Sequence, residues 1–291
     1  MSSPKFLIFG GNGWIGQQML SLLRGKFTEI TIAKSRLENL VDVGSELNSV
    51  QPTHVLLAAG LTGRPNVDWC EDNKEQVLAV NVVGTINLAF ECFKRGIHVT
   101  YFGTGCIYEY DDLHTPENKG FVEQDVPNFE GSYYSKTKIY TEKILKEFKN
   151  VLILRIRMPL SDDLHPRNFI TKIINYAKVC NVPNSMTILT EFLPIAIDMM
   201  INQRVGVYNF TNPGVISHNE ILSLYKQYID PKFEWCNFSL EEQAKILKAG
   251  RSNNKLEVDK LKSLYPEIDP ISIGIEKLFQ RMKINLEKGK N

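Results

Sequence analysis

Short apolar runs alternate along the first half of the chain with longer segments whose apolar residues recur every three or four positions. The runs predict strands at residues 6–9, 29–33, 54–59, 98–103 and 151–155, and the longer periods predict helices at 14–25, 73–95 and 132–148. Strands separated by helices are typical of a parallel sheet covered on both faces. The pattern therefore predicts an α/β fold with a Rossmann-type, doubly wound parallel sheet.

After Pro159 this alternation stops. Shorter apolar segments are now separated by Pro166, Pro183, Pro194, Pro213, Pro231 and Pro266. Proline lacks an N–H donor and interrupts regular elements. We expect residues 1–160 to form the Rossmann domain and residues 161–291 a smaller C-terminal substrate-binding lobe, some of whose segments return to the main sheet.

Composition narrows the class of protein. The chain has 291 residues, 43% of them hydrophobic and 23% charged, which is ordinary for a soluble globular protein. A net charge of +1 provides no field that favours nucleic acid or an anionic membrane. The five scattered cysteines indicate a reducing compartment, and neither they nor the histidines have metal-ligand spacing. We expect a cytoplasmic protein without a metal, a nucleic-acid partner or a membrane partner.

A glycine-rich turn follows the first predicted strand. Gly10, Gly13 and Gly16 recur every third residue before a predicted helix. In a dinucleotide site the first glycine permits a tight turn, the second admits a pyrophosphate, and the third lets helix and strand pack closely. We expect a dinucleotide to bind the turn through these glycines and through Asn12, Trp14 and Ile15.

The end of the second predicted strand bears on the choice of cofactor. An NAD enzyme places an acidic residue there, whereas this chain has Lys34, Ser35 and Arg36. Two cations and a hydroxyl suit the 2′-phosphate of NADPH, because charge-assisted hydrogen bonds are worth about 1.5–3 kcal/mol each. A solvated charged loop is the alternative. The small residues Ala58, Ala59 and Gly60 should let the adenosine lie close to the backbone, so we expect NADP(H) to be the cofactor.

A second chemical motif lies at the start of another predicted helix. Tyr134 and Lys138 are one turn apart, so their side chains share a face. A nearby ammonium is expected to lower the phenol's pKa from about 10, and Thr104 can hydrogen-bond the same carbonyl oxygen. A second match, Tyr228 to Lys232, contains a proline and lies outside the sheet pattern. Together with the glycine turn, Tyr134 and Lys138 predict a nicotinamide-dependent enzyme that acts on a carbonyl.

These motifs resemble the extended short-chain dehydrogenase/reductase superfamily over the whole chain, in which a homodimer is common. Longer strings are similar to the bifunctional 3,5-epimerase/4-reductases that complete nucleotide-L-rhamnose synthesis, which occur alone or as the C-terminal part of plant rhamnose synthases. The strings are AGLTGRPNVDWC (59–70), TGCIY (104–108), GSYYSKTK (131–138), PRNFITK (166–172), NFTNPG (209–214) and RSNN (251–254). The resemblance implies conversion of UDP-4-keto-6-deoxy-D-glucose, or its dTDP form, to UDP-β-L-rhamnose with NADPH.

The same resemblance implies two proton-transfer residues. Cys106 matches the family's epimerase cysteine and, two residues after Thr104, projects to the same side of an extended strand end. From the residues alone, a small buried hydrophobe is the commoner role for Cys106. Lys172 matches the second proton-transfer residue, although periodicity alone places it outside the apolar stripe that contains Ile170 and Ile173 and indicates a solvated lysine.

The matching strings also supply candidates for nucleotide-sugar binding. Arg64, Asn168 and Arg251 are candidates for the diphosphate, and Asn184 is a candidate for the base. A solvated surface position is the alternative for each.

Three other functions stay open at this level. The first is 4-reduction alone, as in dTDP-4-dehydrorhamnose reductases. The second is a GDP-fucose-type epimerase/reductase, which pairs its cysteine with a histidine where this chain has Lys172. The third is a non-catalytic NADP-binding regulatory subunit, against which the intact Thr104, Tyr134 and Lys138 argue.

Overall fold

A six-stranded parallel sheet forms the centre of the α/β fold in the computed structural model, which describes residues 3–288. The strands are β1 (Phe6–Phe9), β2 (Ile30–Ile32), β3 (His54–Leu57), β4 (His98–Thr104), β5 (Val151–Ile156) and β6 (Gly206–Asn209). Their order is β2-β1-β3-β4-β5-β6, and β1 pairs in parallel with β2 on one side and β3 on the other. The predicted doubly wound sheet is therefore confirmed. Its winding reverses between β1 and β3, where such sheets bind ligands beyond the strand ends.

Helices separate most of the strands. They are α1 (Trp14–Arg24), α2 (Leu40–Val50), α3 (Trp69–Asp72), α4 (Lys74–Leu78), α5 (Thr85–Lys94), α6 (Tyr133–Leu145), α7 (Phe169–Ile174), α8 (Leu189–Ile201), α9 (His218–Tyr228), α10 (Leu240–Ala244), α11 (Asp259–Lys262) and α12 (Ile271–Lys288). The helix predicted over 73–95 is interrupted, because a π-helical turn at Ala79–Gly84 separates α4 from α5. The strand predicted over 54–59 ends at Leu57, so Ala58 and Ala59 lie in the loop beyond it.

The chain divides into two compact units, each built from several segments. Unit 1 comprises the described residues up to Ile107, Pro127–Arg155 and Leu193–Tyr208. Unit 2 comprises Tyr108–Val126, Ile156–Phe192 and the described residues from Asn209 onward. The sequence pattern placed a single boundary at residue 160, whereas the segments of the two units alternate along the chain. Most of β6 comes from the segment of unit 1 that begins at Leu193.

Each unit has its own apolar core. In unit 1, alternate residues of neighbouring strands face the same side, as Leu7 and Phe9 of β1 and Val55 and Leu57 of β3 do, and all four are at most 1% exposed. In unit 2, a stripe along α12 packs into a separate core. Its members recur every three or four residues, at Ile271, Ile275, Leu278, Phe279 and Met282.

One helical stretch within residues 3–288, Lys74–Lys94, is long and apolar enough to span a membrane by length and composition alone. Leu88, Ala89 and Cys92 within it are fully buried in the core of unit 1. One face of this stretch thus belongs to the core of unit 1, while Val83, Phe90 and Phe93 are exposed.

Candidate active site

The glycine-rich turn packs against the loop that follows β3. Gly10 has a φ of +82°, and a Cβ at this position would lie 2.4 Å from the backbone nitrogen of Ala59. A Cβ on Gly16 would lie 2.1 Å from the carbonyl oxygen of Gly10. A Cβ on Gly13, by contrast, would have only the Gly10 carbonyl oxygen within 4 Å, at 3.2 Å. Two of the glycines are thus required by backbone packing, while Gly13 leaves open the space that a pyrophosphate needs.

The N-terminus of α1 has the features of an anion site. Gly13 is the N-cap, no side chain caps the helix, and its first turn contains no acidic residue. Asn12 and Gly13 are exposed, and Trp14 and Ile15 are half-buried. Backbone N–H groups and the positive end of the helix dipole point out of such a terminus. These residues fit the pyrophosphate of a dinucleotide.

The loop after β2 contains a partner that the sequence pattern did not indicate. The Glu46 carboxylate of α2 accepts hydrogen bonds from the backbone N–H groups of Lys34 at 2.8 Å and Ser35 at 2.9 Å. The Ser35 hydroxyl also donates to Glu46, at 2.5 Å. The Ser35 hydroxyl predicted to suit a 2′-phosphate thus already has an internal partner, and its contact with a cofactor stays a prediction. The Lys34 and Arg36 side chains are exposed.

Four predicted catalytic residues divide between the end of β4 and the first turns of α6. Ser132 caps α6 by accepting from the N–H of Ser135, whose hydroxyl donates to the carbonyl oxygen of Cys106 at 2.6 Å. This contact fixes the start of α6 against the chain just beyond β4. The Thr104 hydroxyl lies near enough to the phenol of Tyr134 to lower its pKa. Thr104 Oγ1 also accepts from the N–H of Cys106 at 3.1 Å.

Lys138 follows Tyr134 by one turn and is buried. Its Nζ atom donates to the phenolic oxygen of Tyr101 and lies 4.4 Å from that ring's centroid. Burial lowers the pKa of Lys138 to about 8, although Glu142 and Cys106 favour its charged form. The structure thus brings Thr104 and Cys106 together with Tyr134, and it gives Lys138 a fully buried phenol as a partner.

The pKa of Tyr134 differs from the sequence-based expectation, which had a nearby ammonium lowering it. Burial raises the pKa of Tyr134 above its usual value, and the charge of Cys106 adds to the rise. The Thr104 hydroxyl acts in the opposite direction but is the smaller effect. Tyr134 therefore retains its proton at neutral pH, which is the form that can protonate a carbonyl oxygen.

Beyond Lys138, the buried face of α6 carries an ion pair. Glu142 accepts from Arg155 of β5 through Nε at 3.0 Å and Nη2 at 2.6 Å. Burial by itself raises the pKa of Glu142, but the hydrogen bonds and charges of Arg155 and Lys146 together outweigh that effect and lower it. Arg155 is fully buried, which a sequence pattern of strand residues does not reveal.

Asn81 is a further residue beside the predicted cofactor site. It lies in the π-helical turn and is 2% exposed. Its side chain exchanges two 2.8 Å hydrogen bonds with the backbone of Leu61, just beyond Gly60. Its carbonyl oxygen accepts from Thr141 of α6 at 2.7 Å. In the sequence, Asn81 could have been noticed as a polar residue within the apolar stretch of the predicted helix 73–95.

Two predicted substrate-binding amides have structural partners within unit 2. Asn168 is fully buried, caps α7 and donates to the carbonyl oxygens of Ser161 and Asp163. Asn184 is also fully buried, and its Oδ1 accepts from Arg157 and from the N–H of Asn254. Both amides therefore have structural partners, and their contact with the substrate stays a prediction.

The other predicted substrate-site residues, Lys172, Arg251 and Arg64, differ in exposure and in the unit to which they belong. In unit 2, Lys172 is half-buried in the last turn of α7, and half-buried Arg251 donates to the carbonyl oxygen of Ala249 at 2.7 Å. In unit 1, Arg64 is exposed in the loop after β3. Within residues 3–288 no cluster of three or more metal-ligating side chains occurs, and the five cysteines form no disulfide.

The sheet, the glycine-rich turn and the Thr104–Tyr134 pair define a Rossmann-type protein with the polar groups of a carbonyl-reducing site. The family model of the RmlD substrate binding domain matches residues 4–221. The chain belongs to this family.

Several known proteins are similar over most of the chain. A bifunctional dTDP-4-dehydrorhamnose 3,5-epimerase/dTDP-4-dehydrorhamnose reductase of Arabidopsis thaliana is 51% identical, covering 95% of this chain and 92% of that protein. A trifunctional UDP-glucose 4,6-dehydratase/UDP-4-keto-6-deoxy-D-glucose 3,5-epimerase/UDP-4-keto-L-rhamnose-reductase of the same plant is 53% identical, and the chain spans 40% of its length.

Solved structures agree with the fold. A UDP-rhamnose synthase of Acanthamoeba polyphaga mimivirus has a TM-score of 0.92 and 43% identity, covering 96% of this chain and 100% of that one. A dTDP-4-dehydrorhamnose reductase of Bacillus anthracis, solved in complex with NADP, has a TM-score of 0.81 at 19% identity. It covers 98% of this chain and 100% of its own.

Proposed function

We propose that the protein converts UDP-4-keto-6-deoxy-D-glucose, or its dTDP form, to UDP-β-L-rhamnose by 3,5-epimerisation and NADPH-dependent 4-keto reduction. The observation that carries the reductase half is that Tyr134 keeps its proton and lies near Thr104, on the helix that also carries Lys138. The similar epimerase/reductase and the similar UDP-rhamnose synthase support the choice of substrate. A cytoplasmic location is part of the proposal, and it is supported by five cysteines that form no disulfide within residues 3–288.

In the reduction, Tyr134 and Thr104 hold the C4 carbonyl oxygen of the sugar. NADPH, when bound, supplies the hydride that adds to C4. Tyr134 gives its proton to the oxygen as negative charge develops there, and the raised pKa of Tyr134 ensures that this proton is present. The Thr104 hydroxyl, which lowers the pKa of Tyr134, favours the phenolate that remains, and in our proposal the ammonium of Lys138, one turn away, adds positive charge to the site.

The same grip on the ketone supports epimerisation. A polarised carbonyl acidifies the hydrogens on both neighbouring carbons, C3 and C5, so proton exchange there needs only a base on one face and an acid on the other. Cys106 is one of these groups in our proposal, since its half-buried side chain is close enough for its charge to raise the pKa of Tyr134. Lys172 is the other, by resemblance to the family's second proton-transfer residue.

NADP(H) is the cofactor in this proposal because the glycine-rich turn leaves space at Gly13 and the loop after β2 carries Lys34 and Arg36. The solved reductase with NADP shares the fold. Reduction without epimerisation is the alternative, because it needs Tyr134, Lys138 and Thr104 but neither Cys106 nor Lys172.

An NMR-followed incubation in heavy water tests the proposal. The purified chain is given NADPH and either UDP-4-keto-6-deoxy-D-glucose or the already epimerised UDP-4-keto-L-rhamnose. We expect the first substrate to yield UDP-β-L-rhamnose with deuterium at C3 and C5. If only UDP-4-keto-L-rhamnose is reduced, and UDP-4-keto-6-deoxy-D-glucose takes up no deuterium, the reductase-only function is supported. No turnover of either would favour a non-catalytic subunit.

A further inference from the structure

The Glu46 carboxylate is held by an arrangement that proteins use to bind anions. Two consecutive backbone N–H groups, of Lys34 and Ser35, converge on it together with the Ser35 hydroxyl, over 2.5–2.9 Å. These two N–H groups and the hydroxyl, called the nest below, are donors that a phosphate oxygen can use as well as a carboxylate. The pKa of Glu46 is lowered despite partial burial, which alone would raise it, because these three hydrogen bonds stabilise the charged form.

The nest also lies between two cations. The exposed side chains of Lys34 and Arg36 belong to the same three-residue loop. A phosphate prefers this combination of charged side chains, backbone donors and a hydroxyl, because each charge-assisted hydrogen bond is about twice as strong as a neutral one. The loop therefore provides more anion-binding groups than a single carboxylate requires.

The loop is fixed beside the glycine-rich turn. A Cβ on Gly11 would lie 2.9 Å from Cγ2 of Ile32, and the N–H of Ala33 donates to the carbonyl oxygen of Ile8 at 2.9 Å. On its other side, the backbone of Leu37 would lie 2.6 Å from a Cβ on Gly84. The nest thus occupies the position after β2 where a dinucleotide fold meets the adenosine ribose.

We propose that the Glu46 carboxylate is an internal ligand of the adenosine 2′-phosphate site, which the phosphate of NADPH must displace. The inference rests on the dinucleotide site in the proposed function. Displacement reduces the apparent affinity for NADPH by the fraction of molecules in which the nest is vacant. NADH carries no 2′-phosphate and leaves Glu46 in place. Glu46 therefore weakens the binding of NADPH but not of NADH, and so reduces the preference for NADPH.

Calorimetry with two cofactor fragments tests this role without turnover. The probes are 2′,5′-ADP, which carries the 2′-phosphate, and 5′-AMP, which lacks it. We expect Glu46→Ala to tighten binding of 2′,5′-ADP by about tenfold and to change 5′-AMP binding by less than about twofold. Glu46→Gln should tighten it less, because its amide retains one acceptor. Adding Ser35→Ala to Glu46→Ala should remove much of the gain, since the freed hydroxyl would bind the phosphate.

Glu38→Ala is the matched control, because it removes an equal charge from an exposed position next to the same loop. It should alter 2′,5′-ADP binding by less than about twofold, which separates displacement from a general charge effect. Weaker or unchanged 2′,5′-ADP binding in Glu46→Ala and Glu46→Gln, with 5′-AMP binding intact, would overturn the inference and leave Glu46 as a brace of the loop. If the native chain binds neither fragment, the proposed cofactor site itself is wrong.

Discussion

The Nζ atom of Lys138 donates a hydrogen bond to the phenolic oxygen of Tyr101, a residue that is 1% exposed. Tyr101 lies on β4 and Lys138 on α6, so this bond joins the sheet to the helix that carries Tyr134. Burial has already lowered the pKa of Lys138 to about 8. The charge on this lysine therefore depends on the few polar groups that surround it.

The variant Tyr101→Phe removes the oxygen and leaves the ring. Losing a hydrogen bond to a charged group costs about 1.5–3 kcal/mol, and one pKa unit corresponds to about 1.4 kcal/mol. We expect the activity of the native protein to decline as the pH rises through about 8, the pKa of Lys138. In Tyr101→Phe this decline should begin about one pH unit lower. The measurement is the pH dependence of kcat for reduction.

Tyr110→Phe is a matched control, because its hydroxyl donates to the carbonyl oxygen of Pro183 within unit 2. Its pH profile should equal that of the native protein. An unchanged profile in Tyr101→Phe would show that Tyr101 does not help to keep Lys138 charged.

Two glycines of the phosphate turn should respond differently to alanine. Gly16→Ala places a Cβ 2.1 Å from the Gly10 carbonyl oxygen, so the backbone must shift, and overpacking of this kind costs about 1–3 kcal/mol. Gly13→Ala meets no atom closer than 3.2 Å and has a φ of −81°, which alanine adopts readily. We expect Gly13→Ala to lose no more than about 1 kcal/mol of unfolding free energy, less than Gly16→Ala, but to bind NADPH about tenfold more weakly.

Urea unfolding and fluorescence titration with NADPH measure the two effects. Gly44→Ala is the control, because no atom lies within 4 Å of the added Cβ in α2. It should leave the affinity for NADPH unchanged and raise the unfolding free energy by about 0.5–1 kcal/mol. Equal affinities for Gly13→Ala and the native chain would place the pyrophosphate elsewhere.

Removing one partner of the buried ion pair Glu142–Arg155 should lower the unfolding free energy more than replacing both partners by apolar residues. Arg155→Met removes a bidentate partner and leaves Glu142 buried with Lys146 at 3.1 Å as its remaining ion-pair partner. Removing one partner of a buried pair costs about 3–5 kcal/mol. We expect Arg155→Met to lose that amount and the double variant with Glu142→Leu to lose clearly less, as measured by urea unfolding. A double variant less stable than Arg155→Met would contradict this account.

Most of the first-half fold was predictable, because a buried parallel sheet requires continuous apolar runs and its crossover helices require a period near 3.6. The bounds of β4 and α6 came within a few residues of the prediction. The pattern missed α2, although Val43 and Leu47 are a helical spacing apart and fully buried. It also missed the π-helical turn, because one inserted residue changes the phase of a period without removing it.

Site residues could be predicted from sequence where the backbone geometry allows only one residue type. They could not be predicted where the role of a side chain depends on contacts with residues far along the chain. Gly10 and Gly16 are fixed by approaches of 2.1–2.4 Å that no side chain tolerates. The capture of Ser35 by Glu46, eleven residues later, depends on how α2 packs. For the same reason the sequence did not show that Asn168 caps α7 by accepting from the N–H of Ile170 while its amide nitrogen donates to the carbonyl oxygens of Ser161 and Asp163.

Two variants should separate the proposed reactions. Cys106→Ala removes the proposed proton-transfer thiol, so we expect no deuterium incorporation at C3 and C5 and continued reduction of epimerised UDP-4-keto-L-rhamnose. Tyr134→Phe removes the proton donor and should lower the rate of NADPH oxidation about 10²- to 10⁴-fold. NMR in heavy water and absorbance at the NADPH band measure the two rates.

Lys172→Ala should behave like Cys106→Ala if the lysine is the second proton-transfer residue. Cys92→Ala is the control thiol, because Cys92 is fully buried and burial raises its pKa to about 12. It should retain both reactions. Full deuterium exchange in both Cys106→Ala and Lys172→Ala would remove the epimerase assignment and leave a reductase.

Two buried histidines at the start of neighbouring strands should make the protein sensitive to acid. The rings of His54 and His98 lie 5.7 Å apart, and His98 Nε2 is 2.8 Å from the carbonyl oxygen of Arg204. Burial lowers the pKa of His54 to about 4, with a further contribution from the charge of His98, and burial also lowers the pKa of His98.

Both native-state values lie below the value of about 6.5 expected in the unfolded chain, so the unfolded state binds more protons between about pH 6.5 and 4. The stabilisation is therefore complete above about pH 6.5 and is lost as the pH falls, by at most about 1.4 kcal/mol per pH unit for each histidine. We expect His54→Gln to reduce the slope of unfolding free energy against pH in this range, as measured by urea unfolding at several pH values. His165→Gln, at an exposed position, is the control and should retain the native slope. Equal slopes in the native protein and His54→Gln would show that His54 takes up its proton as easily in the folded chain as in the unfolded one.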